Sequence, residues 1–221
     1  MPPRTLIAAG GGVESALAIA YARDNGLNPI VVTEEIANIL AIKKMTEAVQ
    51  KQCDFFGVEC HILKNDVPMK NLNVPAGDWL IDVCVKFILG NPQYRWTHVI
   101  GPGMSEDCMQ QRVQFKYIQR VVAARWSNNF ELSGIDWNHY TKMPQFLFPN
   151  EYLTKAEVVA ILFNKYPEVM KMIWTCVDPT KEGKPCLKCH KCVEYRAAKD
   201  AAKRARRRVQ EGVKLDDNLR S

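Results

Sequence analysis

Four of the eight cysteines in this 221-residue chain are grouped near its C-terminus. Cys186, Cys189 and Cys192 are each separated by two residues, and Cys176 lies ten positions before Cys186. Zn²⁺ prefers four soft ligands in a closed tetrahedron, which four thiolates at this spacing can supply. The turn at Gly183-Lys184-Pro185 can bring the chain back towards Cys176. The spacing therefore predicts a structural zinc site made by Cys176, Cys186, Cys189 and Cys192.

An iron–sulfur cluster is the alternative occupant of these cysteines. The bacterial ferredoxin run continues to a fourth cysteine followed by proline, at C-x2-C-x2-C-x3-C-P. Here Cys192 is followed by Val193-Glu194-Tyr195-Arg196, so that cysteine and proline are missing. His190 is a further candidate ligand, although four cysteines complete the set. The other cysteines are scattered in apolar patterns and are predicted to be small buried side chains: Cys53, Cys60, Cys84 and Cys108.

A glycine run near the N-terminus is the second group that could do chemistry. Gly10-Gly11-Gly12-Val13-Glu14-Ser15 joins an apolar run to a helical pattern. At such a junction exposed backbone N–H groups and the helix N-terminus favour anions, which predicts a phosphate site. A Walker P-loop is excluded because no lysine follows the glycines.

Two other interpretations of the glycine run remain open. Gly10, Gly12 and Ser15 nearly fit the dinucleotide fingerprint G-x-G-x-x-G, with Glu34 as the ribose-binding acid, so an NAD-binding oxidoreductase is one alternative. A tight turn that uses glycine only for backbone freedom is the other.

Short apolar runs alternate with helical patterns around these motifs. Strands are predicted at 5–9, 29–33, 58–63, 97–101 and 130–132, and helices at 16–22, 34–56, 79–89, 111–126 and 155–165. Strand–helix alternation predicts an α/β fold with a doubly wound, mainly parallel sheet. Thr154 is the predicted N-cap of the last of these helices, with Glu157 completing a capping box.

The glycine run resembles the S-G-G-x-D-S pyrophosphate loop of N-type ATP pyrophosphatases, the PP-loop superfamily, with glycine at 10 and glutamate at 14. Together with the cysteine pattern, it makes the chain resemble the 7-cyano-7-deazaguanine (preQ0) synthases as a divergent member. The segment 154–159 resembles the S-K-x-E-I-V helix start of that family. Segments 174–176 and 185–192 resemble T-x-S-C and P-C-G-x-C-x-x-C, and 106–115 resembles the segment that runs into D-C-R-x-x-F.

The resemblance implies an adenine-nucleotide alpha-hydrolase-like fold and an ATP-dependent ligase. In such an enzyme a carboxylate, here 7-carboxy-7-deazaguanine or a related base, is adenylated with release of pyrophosphate. An ammonia donor then converts the adenylate to an amide and a second activation gives a nitrile, in the 7-deazaguanine pathway of tRNA or DNA modification. A catalytically degenerate PP-loop relative that binds nucleic acid as a zinc protein is the alternative.

The resemblance also assigns residues to roles. The catalytic candidates are Lys155, Asp107 and Arg112, with Mg²⁺ bound to Glu14 or Asp107. The ATP-binding candidates are Gly10, Gly11, Gly12, Glu14, Ser15, Thr33 and Gly101.

The positive charge of the chain is concentrated in one segment. Residues 196–208 contain seven basic residues and one acid, a net charge of +6 that equals the +6 of the whole chain. This basic tail predicts a nucleic acid partner bound through its phosphates, with a solvated terminal helix and packing on a second copy of the chain as the alternatives. The predicted units are an ATP pyrophosphatase domain at 1–173, a zinc loop at 174–195 and the tail at 196–221. No apolar run is long enough for a signal peptide or a membrane span, so a cytoplasmic protein is expected.

Overall fold

The computed structural model contains a parallel sheet with helices on both faces. The described residues are 3–36, 38–65, 83–84, 86–88, 90–91, 93–101, 103 and 144–210. The strands are β1 (Pro3–Ala8), β2 (Pro29–Ile36), β3 (Glu59–Asn65), β4 (Arg95–Ile100) and β5 (Gln145–Leu147). The helices are α1 (Val13–Asp24), α2 (Leu40–Phe56), α3 (Lys155–Lys165) and α4 (His190–Gln210), with a 3₁₀ turn at Val169–Lys171.

The five strands run parallel in the order β3-β2-β1-β4-β5. Ile7 of β1 pairs with Val31 on one side and with Ile100 on the other. The strand order therefore reverses between β1 and β4, and this reversal is where doubly wound sheets open a crevice at the carboxyl ends of their strands. The predicted α/β class with a doubly wound parallel sheet is confirmed.

Alternate residues of each central strand enter different apolar layers. Ile7 and Val31 pack with buried residues of α1, α2, α3 and α4. Leu6 and Val32 pack on the opposite face with Phe87, which belongs to a helical segment whose described residues are 83–84, 86–88 and 90. A strand buried on both faces is nearly continuously apolar, which explains the β-branched character of β2.

Several predicted boundaries are confirmed and one is wrong. Thr154 caps α3: its hydroxyl accepts from the Glu157 amide at 3.3 Å, and Glu157 Oε2 accepts from the Thr154 amide at 2.7 Å. The helix expected from residue 34 begins instead at Leu40, because β2 continues to pair with β3 as far as Ile36. The elements predicted at 111–126 and 130–132, and Cys108, lie outside the described residues.

Helix α4 joins the main core through two small side chains. Ala198 and Ala202, one turn apart, are buried in the same cluster as Leu162 of α3. Residues 196–210 of the predicted tail thus continue the helix that begins at His190. Over the part of the chain that the structure describes, no helix has the length and apolarity that crossing a bilayer requires.

Gly11 allows the loop after β1 to lie against α2. Its φ is +77°, a left-handed value that L side chains rarely adopt. A Cβ at this position would lie 2.7 Å from the backbone carbonyl oxygen of Met45 and 3.1 Å from Ala48 Cβ. Both the backbone conformation and the close approach therefore require glycine.

Replacing Gly11 by alanine should cost much more stability than the same change at Gly26. Gly26 has a similar φ of +64°, but a Cβ there would have no heavy atom within 4 Å, so Gly26→Ala isolates the backbone cost, about 1 kcal/mol. Gly11→Ala adds a clash with backbone and should lower the free energy of unfolding by about 3 kcal/mol. Urea denaturation of both variants measures the difference. Equal losses would show that the loop does not depend on close contact with α2.

Candidate functional site

The glycine loop is held by hydrogen bonds to distant parts of the chain. The Gly11 carbonyl accepts from Gln52 Nε2 at 2.9 Å and from the Trp174 amide at 3.0 Å. The Gly10 amide donates to Ser15 Oγ at 3.0 Å, so the serine closes the loop on itself. The loop is thus fixed from α2, from the segment before the cysteines, and from α1.

Two amide groups of the glycine loop lie at the start of α1. Within the described part of the chain, the N–H groups of Gly11 and Gly12 have no hydrogen-bond partner. Gly12 is the N-cap residue of α1, and no side chain caps the helix there. Unpartnered amides at the positive end of a helix dipole form an anion site. The phosphate site at Gly10, Gly11, Gly12 and Ser15 stays a prediction, and this is the geometry such a site would use.

Glu14 and Lys155 meet at the mouth of this loop. Lys155 Nζ lies 2.9 Å from Glu14 Oε1 and 2.9 Å from Glu194 Oε2. The other Glu14 oxygen lies 2.8 Å from the point where a Cβ on Gly12 would stand, so the carboxylate folds over the loop. The structure therefore brings Lys155 to the glycine loop, as expected, but pairs it with two carboxylates.

The two carboxylates keep the Lys155 side chain charged. Only 9% of that side chain is exposed, and burial alone would lower its pKa. The charges and hydrogen bonds of Glu14 and Glu194 more than offset the burial, so the pKa of Lys155 is raised. Lysine in the first turn of α3 opposes the helix dipole, and the same acids offset that cost.

Thr33 and Gly101 lie on or next to the strands that flank β1, level with the point where β1 ends. Thr33, in the second half of β2, follows the Val32 that pairs with Ala8; it is fully buried, and within the described residues its hydroxyl has no hydrogen-bond partner. Gly101 directly follows β4, and its amide donates to the Leu147 carbonyl at 3.0 Å. Both residues therefore lie near the edge of the sheet where α/β proteins bind ligands, and their role in binding ATP stays a prediction.

The other predicted site residues divide into two groups. Asp107 and Arg112 lie outside the described residues, so Lys155 is the one catalytic candidate that the structure places. Glu34, the ribose-binding acid of the dinucleotide alternative, is buried at the end of β2. Its Oε1 lies 3.4 Å from both Asn65 Nδ2 and Lys86 Nζ.

The four C-terminal cysteines converge on one point. The sulfur atoms of Cys176, Cys186, Cys189 and Cys192 all lie within 4.8 Å of one another, and those of Cys176 and Cys186 are 3.6 Å apart. Four thiolates around a zinc ion are about 3.8 Å apart when each bond is ~2.3 Å. The cluster therefore has the donor set and the size to hold a metal ion. His190 begins α4 with an exposed side chain and is not one of the four.

Backbone contacts shape the cysteine cluster. The Cys186 amide donates to Cys176 Sγ, and the Cys189 amide donates to Cys186 Sγ, each at 3.3 Å. Leu187, between them, has a φ of +61°, which is uncommon for a residue with a side chain. The Arg196 guanidinium donates to the Leu187 carbonyl and fixes this turn from the first half of α4.

The pKa of the Cys189 thiol is lowered within the cluster. Burial acts to raise its pKa, but hydrogen bonds from the backbone of Val177 and Cys192 lower it to about 6. This thiol is therefore mostly thiolate at neutral pH, which is the form that binds a metal.

The cysteine cluster and the glycine loop are linked through two residues. Trp174 donates from its backbone to Gly11 and from its indole Nε1 to the Cys176 carbonyl, the latter at 2.8 Å. Glu194, two residues after Cys192, reaches Lys155. Sequence reasoning missed Glu194 and Gln52; a fully buried glutamine in an amphipathic helix is the signal that could have identified Gln52.

The sequence matches no protein-family model, and it has no significant match among curated proteins. Similar solved structures include the U34-tRNA thiolase NcsA from Methanococcus maripaludis with its 4Fe–4S cluster, at TM-score 0.49 and 14% identity over 99% of this chain and 76% of that one. NMN synthetase from Francisella tularensis has a TM-score of 0.44 and 13% identity, over 96% of this chain and 87% of that one. NH3-dependent NAD synthetase from Campylobacter jejuni has a TM-score of 0.40 and 15% identity, over 76% of this chain and 66% of that one. At these scores and identities the likenesses assign neither a family nor an activity.

Removing the Lys155 charge should destabilise the protein. Lys155→Met leaves two carboxylates facing each other at the loop and should lower the free energy of unfolding by about 2 kcal/mol. Lys165→Met, an exposed change in the last turn of the same helix, should cost less than ~0.5 kcal/mol. Denaturant titrations of both variants measure this difference. Equal effects would mean that the contacts of Lys155 contribute nothing.

The contribution of Lys155 to the free energy of unfolding should also depend on pH. The pKa of Lys155 is raised from 10.5, so its stabilising effect is lost as pH rises above that value. The pKa of Glu194 is lowered from 4.5; burial opposes this shift, and the contact with Lys155 produces it. The part due to Glu194 is therefore lost as pH falls below 4.5. The difference in free energy of unfolding between wild type and Lys155→Met should therefore be largest between pH 4.5 and 10.5.

Proposed function

We propose that this protein is an ATP-dependent ligase of the PP-loop type, which adenylates a carboxylate and releases pyrophosphate. The observation that carries the proposal is the fixed glycine loop. It lies beside the strand-order reversal and has Lys155 at its mouth, and the amides of Gly11 and Gly12 have no hydrogen-bond partner among the described residues. The proposed substrate is 7-carboxy-7-deazaguanine or a related base, with ammonia as the amine.

The loop suits the leaving group of this reaction. Negative charge grows on the pyrophosphate as it departs, and preorganised amides stabilise charge that develops at that moment. Because the Gly11 carbonyl is held from two sides, the amides need no rearrangement when the charge appears. Each such donor can lower the activation free energy by about 3–4 kcal/mol.

Lys155 and Glu14 would exchange partners when ATP binds. A carboxylate folded over the loop repels an incoming phosphate, so we propose that Glu14 turns towards a Mg²⁺ ion carried by the nucleotide. Lys155 Nζ, now 2.9 Å from Glu14 Oε1, would then pair with a phosphate oxygen while keeping Glu194. The same ammonium thus balances an acid before binding and the nucleotide afterwards.

The proposed reaction balances as two displacements. A carboxylate oxygen of the substrate attacks the α-phosphorus of ATP, and the bond to the pyrophosphate oxygen breaks. Ammonia then attacks the acyl carbon and AMP leaves with that carboxylate oxygen, giving an amide and releasing a proton. In a second round the amide oxygen attacks the α-phosphorus of another ATP, and pyrophosphate and a proton are released. The carbon–oxygen bond of this adenylate then breaks, AMP leaves with the oxygen, and loss of the remaining N–H proton gives the nitrile.

We also propose that the cysteine cluster holds a structural zinc ion. The four thiols leave no position among themselves for a substrate, because Zn²⁺ in structural sites has four protein ligands. A zinc centre with four thiolates carries a net charge of about −2, which Lys184, Lys188 and Lys191 flank in sequence. Its effect on the reaction would be indirect, through Trp174 and Glu194.

The reaction is tested with ATP, Mg²⁺, ammonia and 7-carboxy-7-deazaguanine whose carboxylate is labelled with heavy oxygen. Mass spectrometry should find unlabelled pyrophosphate, AMP carrying the heavy oxygen, and the amide or nitrile product. Lys155→Met should lower kcat/KM by about 10²–10³-fold, and Lys165→Met should not change it. ADP and phosphate as the products, or a heavy oxygen that never reaches AMP, would contradict the proposal.

Metal content tests the zinc proposal separately. Protein purified under reducing conditions should contain about one zinc ion per chain by elemental analysis. Cys192→Ser should abolish binding and lower the melting temperature, whereas Cys60→Ser, a half-buried cysteine outside the cluster, should keep the zinc. Iron with acid-labile sulfide in place of zinc would establish the cluster alternative, and a metal-free, equally stable protein would refute a metal site.

A catalytically inactive relative of the PP-loop enzymes is the second candidate function. The position of the Glu14 carboxylate over Gly12 favours it. If the Glu14–Lys155 pair stays closed, the loop cannot accept pyrophosphate. Calorimetry with Mg-ATP separates the candidates: ATP bound by wild type, and less tightly by Lys155→Met, supports the ligase. Absence of ATP binding by zinc-loaded wild type supports the inactive relative.

A further inference from the structure

We propose that the solvent-facing side of α4, from Arg196 to Arg207, is a binding surface for the phosphate backbone of a nucleic acid. This inference goes beyond the proposed ligase chemistry, since binding through this surface needs neither ATP nor a working glycine loop.

Packing fixes which side of α4 faces solvent. Ala198 and Ala202 lie one turn apart and are buried against the body of the protein. Lys203, Arg204 and Arg207 are exposed. Because residues three and four positions apart are neighbours on a helix, with Cβ atoms about 5–6 Å apart, these three side chains form one continuous cationic patch.

The charges of this patch are not neutralised by the part of the protein that the structure describes. Among the described residues, no carboxylate lies within salt-bridge distance of Lys203, Arg204 or Arg207. Arg206 differs, because its guanidinium lies over the Phe163 ring at 5.8 Å. The patch therefore consists of cations that have no structural partner within the described residues.

The rest of the chain has no net charge, unlike residues 196–208. The chain has 30 basic and 24 acidic residues, and residues 196–208 contain seven of the basic and one of the acidic residues. The rest of the chain therefore has 23 residues of each sign and no net charge. Because the net positive charge lies on one helix, an anionic partner is attracted to that helix rather than to the whole surface.

The composition of the surface favours a polyphosphate over other anionic partners. Between 196 and 207 the apolar residues are all alanines. Protein interfaces depend on buried aromatic or large apolar anchors, and membrane-surface helices need such residues on their apolar face. Contact with nucleic acid phosphates needs only positioned cations.

The position of the patch would bring a bound polymer near the glycine loop. Nine residues separate Glu194 from Lys203 on one helix, which is about 14 Å along its axis. If the proposed ligase function is correct, a nucleic acid on α4 would carry its nearest bases towards Lys155. This consequence rests on the proposed function, and the binding does not.

The test is fluorescence anisotropy with the full chain and a labelled RNA duplex, without ATP, over a series of salt concentrations. One triple variant removes three cations from α4: Lys203→Gln, Arg204→Gln and Arg207→Gln. The control Lys43→Gln/Lys51→Gln/Lys165→Gln removes three exposed cations from α2 and α3, so both variants have the same net charge. Circular dichroism verifies that α4 remains helical, which glutamine favours.

We expect wild type to bind with a salt-dependent affinity. The α4 variant should reduce the slope of log K against log salt by about 2–3, at 0.7–0.9 per lost phosphate contact, while the control keeps the wild-type slope. Equal loss in both triple variants would refute a localised surface. Binding that is unchanged in the α4 variant, or wild-type binding to anionic lipid vesicles or an acidic peptide but not to RNA or DNA duplexes, would also overturn the proposal. A loss of RNA binding with ligase activity on the free base intact separates this surface from the loop chemistry.

Discussion

The carbonyl of Gly11 is the point on which the rest of the site depends. It accepts hydrogen bonds from the buried Gln52 of α2 and from the backbone of Trp174, which precedes the cysteine cluster. Gly11 has a left-handed φ that favours glycine, and a Cβ at this position would lie only 2.7 Å from the Met45 carbonyl oxygen, so the carbonyl is placed there because residue 11 is glycine. This carbonyl thus connects the loop after β1 to α2 and to the segment before the C-terminal cysteines, and its two hydrogen bonds hold the loop in place.

Electrostatic balance around Lys155 is the second constraint. An ammonium that is nine-tenths buried needs anionic partners, and it has Glu14 from the loop and Glu194 from α4. Since Glu194 lies two residues after Cys192, the geometry of the cysteine cluster sets where one of those partners stands. A metal bound by the cysteines would therefore affect the loop through position rather than through chemistry of its own. The cationic residues further along α4 are separate from this network, because packing of Ala198 and Ala202 turns them to solvent.

Local signals in the sequence predicted local features well. The capping box at Thr154, the four-cysteine cluster and the parallel sheet follow from short-range spacing and periodicity, and the structure contains all three. Contacts between distant segments were beyond such reasoning: nothing in the residues around Gln52 or Glu194 indicates Gly11 or Lys155 as their partners. The predicted helix start at residue 34 failed for the same reason, because β2 continues to Ile36 through its pairing with β3, which the segment's own helical pattern does not show. The phosphate chemistry of the loop thus stays a prediction from its sequence, whereas the pairing of Lys155 with Glu14 and Glu194 could be found only from the fold.

The proposed ligase reaction requires the loop to bind the pyrophosphate of ATP while a carboxylate is adenylated. Exchange of labelled pyrophosphate into ATP measures this step directly, because it requires reversible adenylation at the loop and needs no ammonia. With zinc-loaded protein, Mg²⁺ and 7-carboxy-7-deazaguanine, the account predicts exchange that depends on the carboxylate and falls by about 10²–10³-fold in Lys155→Met. Label that enters ATP from inorganic phosphate instead, or no exchange by protein that binds both ATP and the carboxylate, would contradict it.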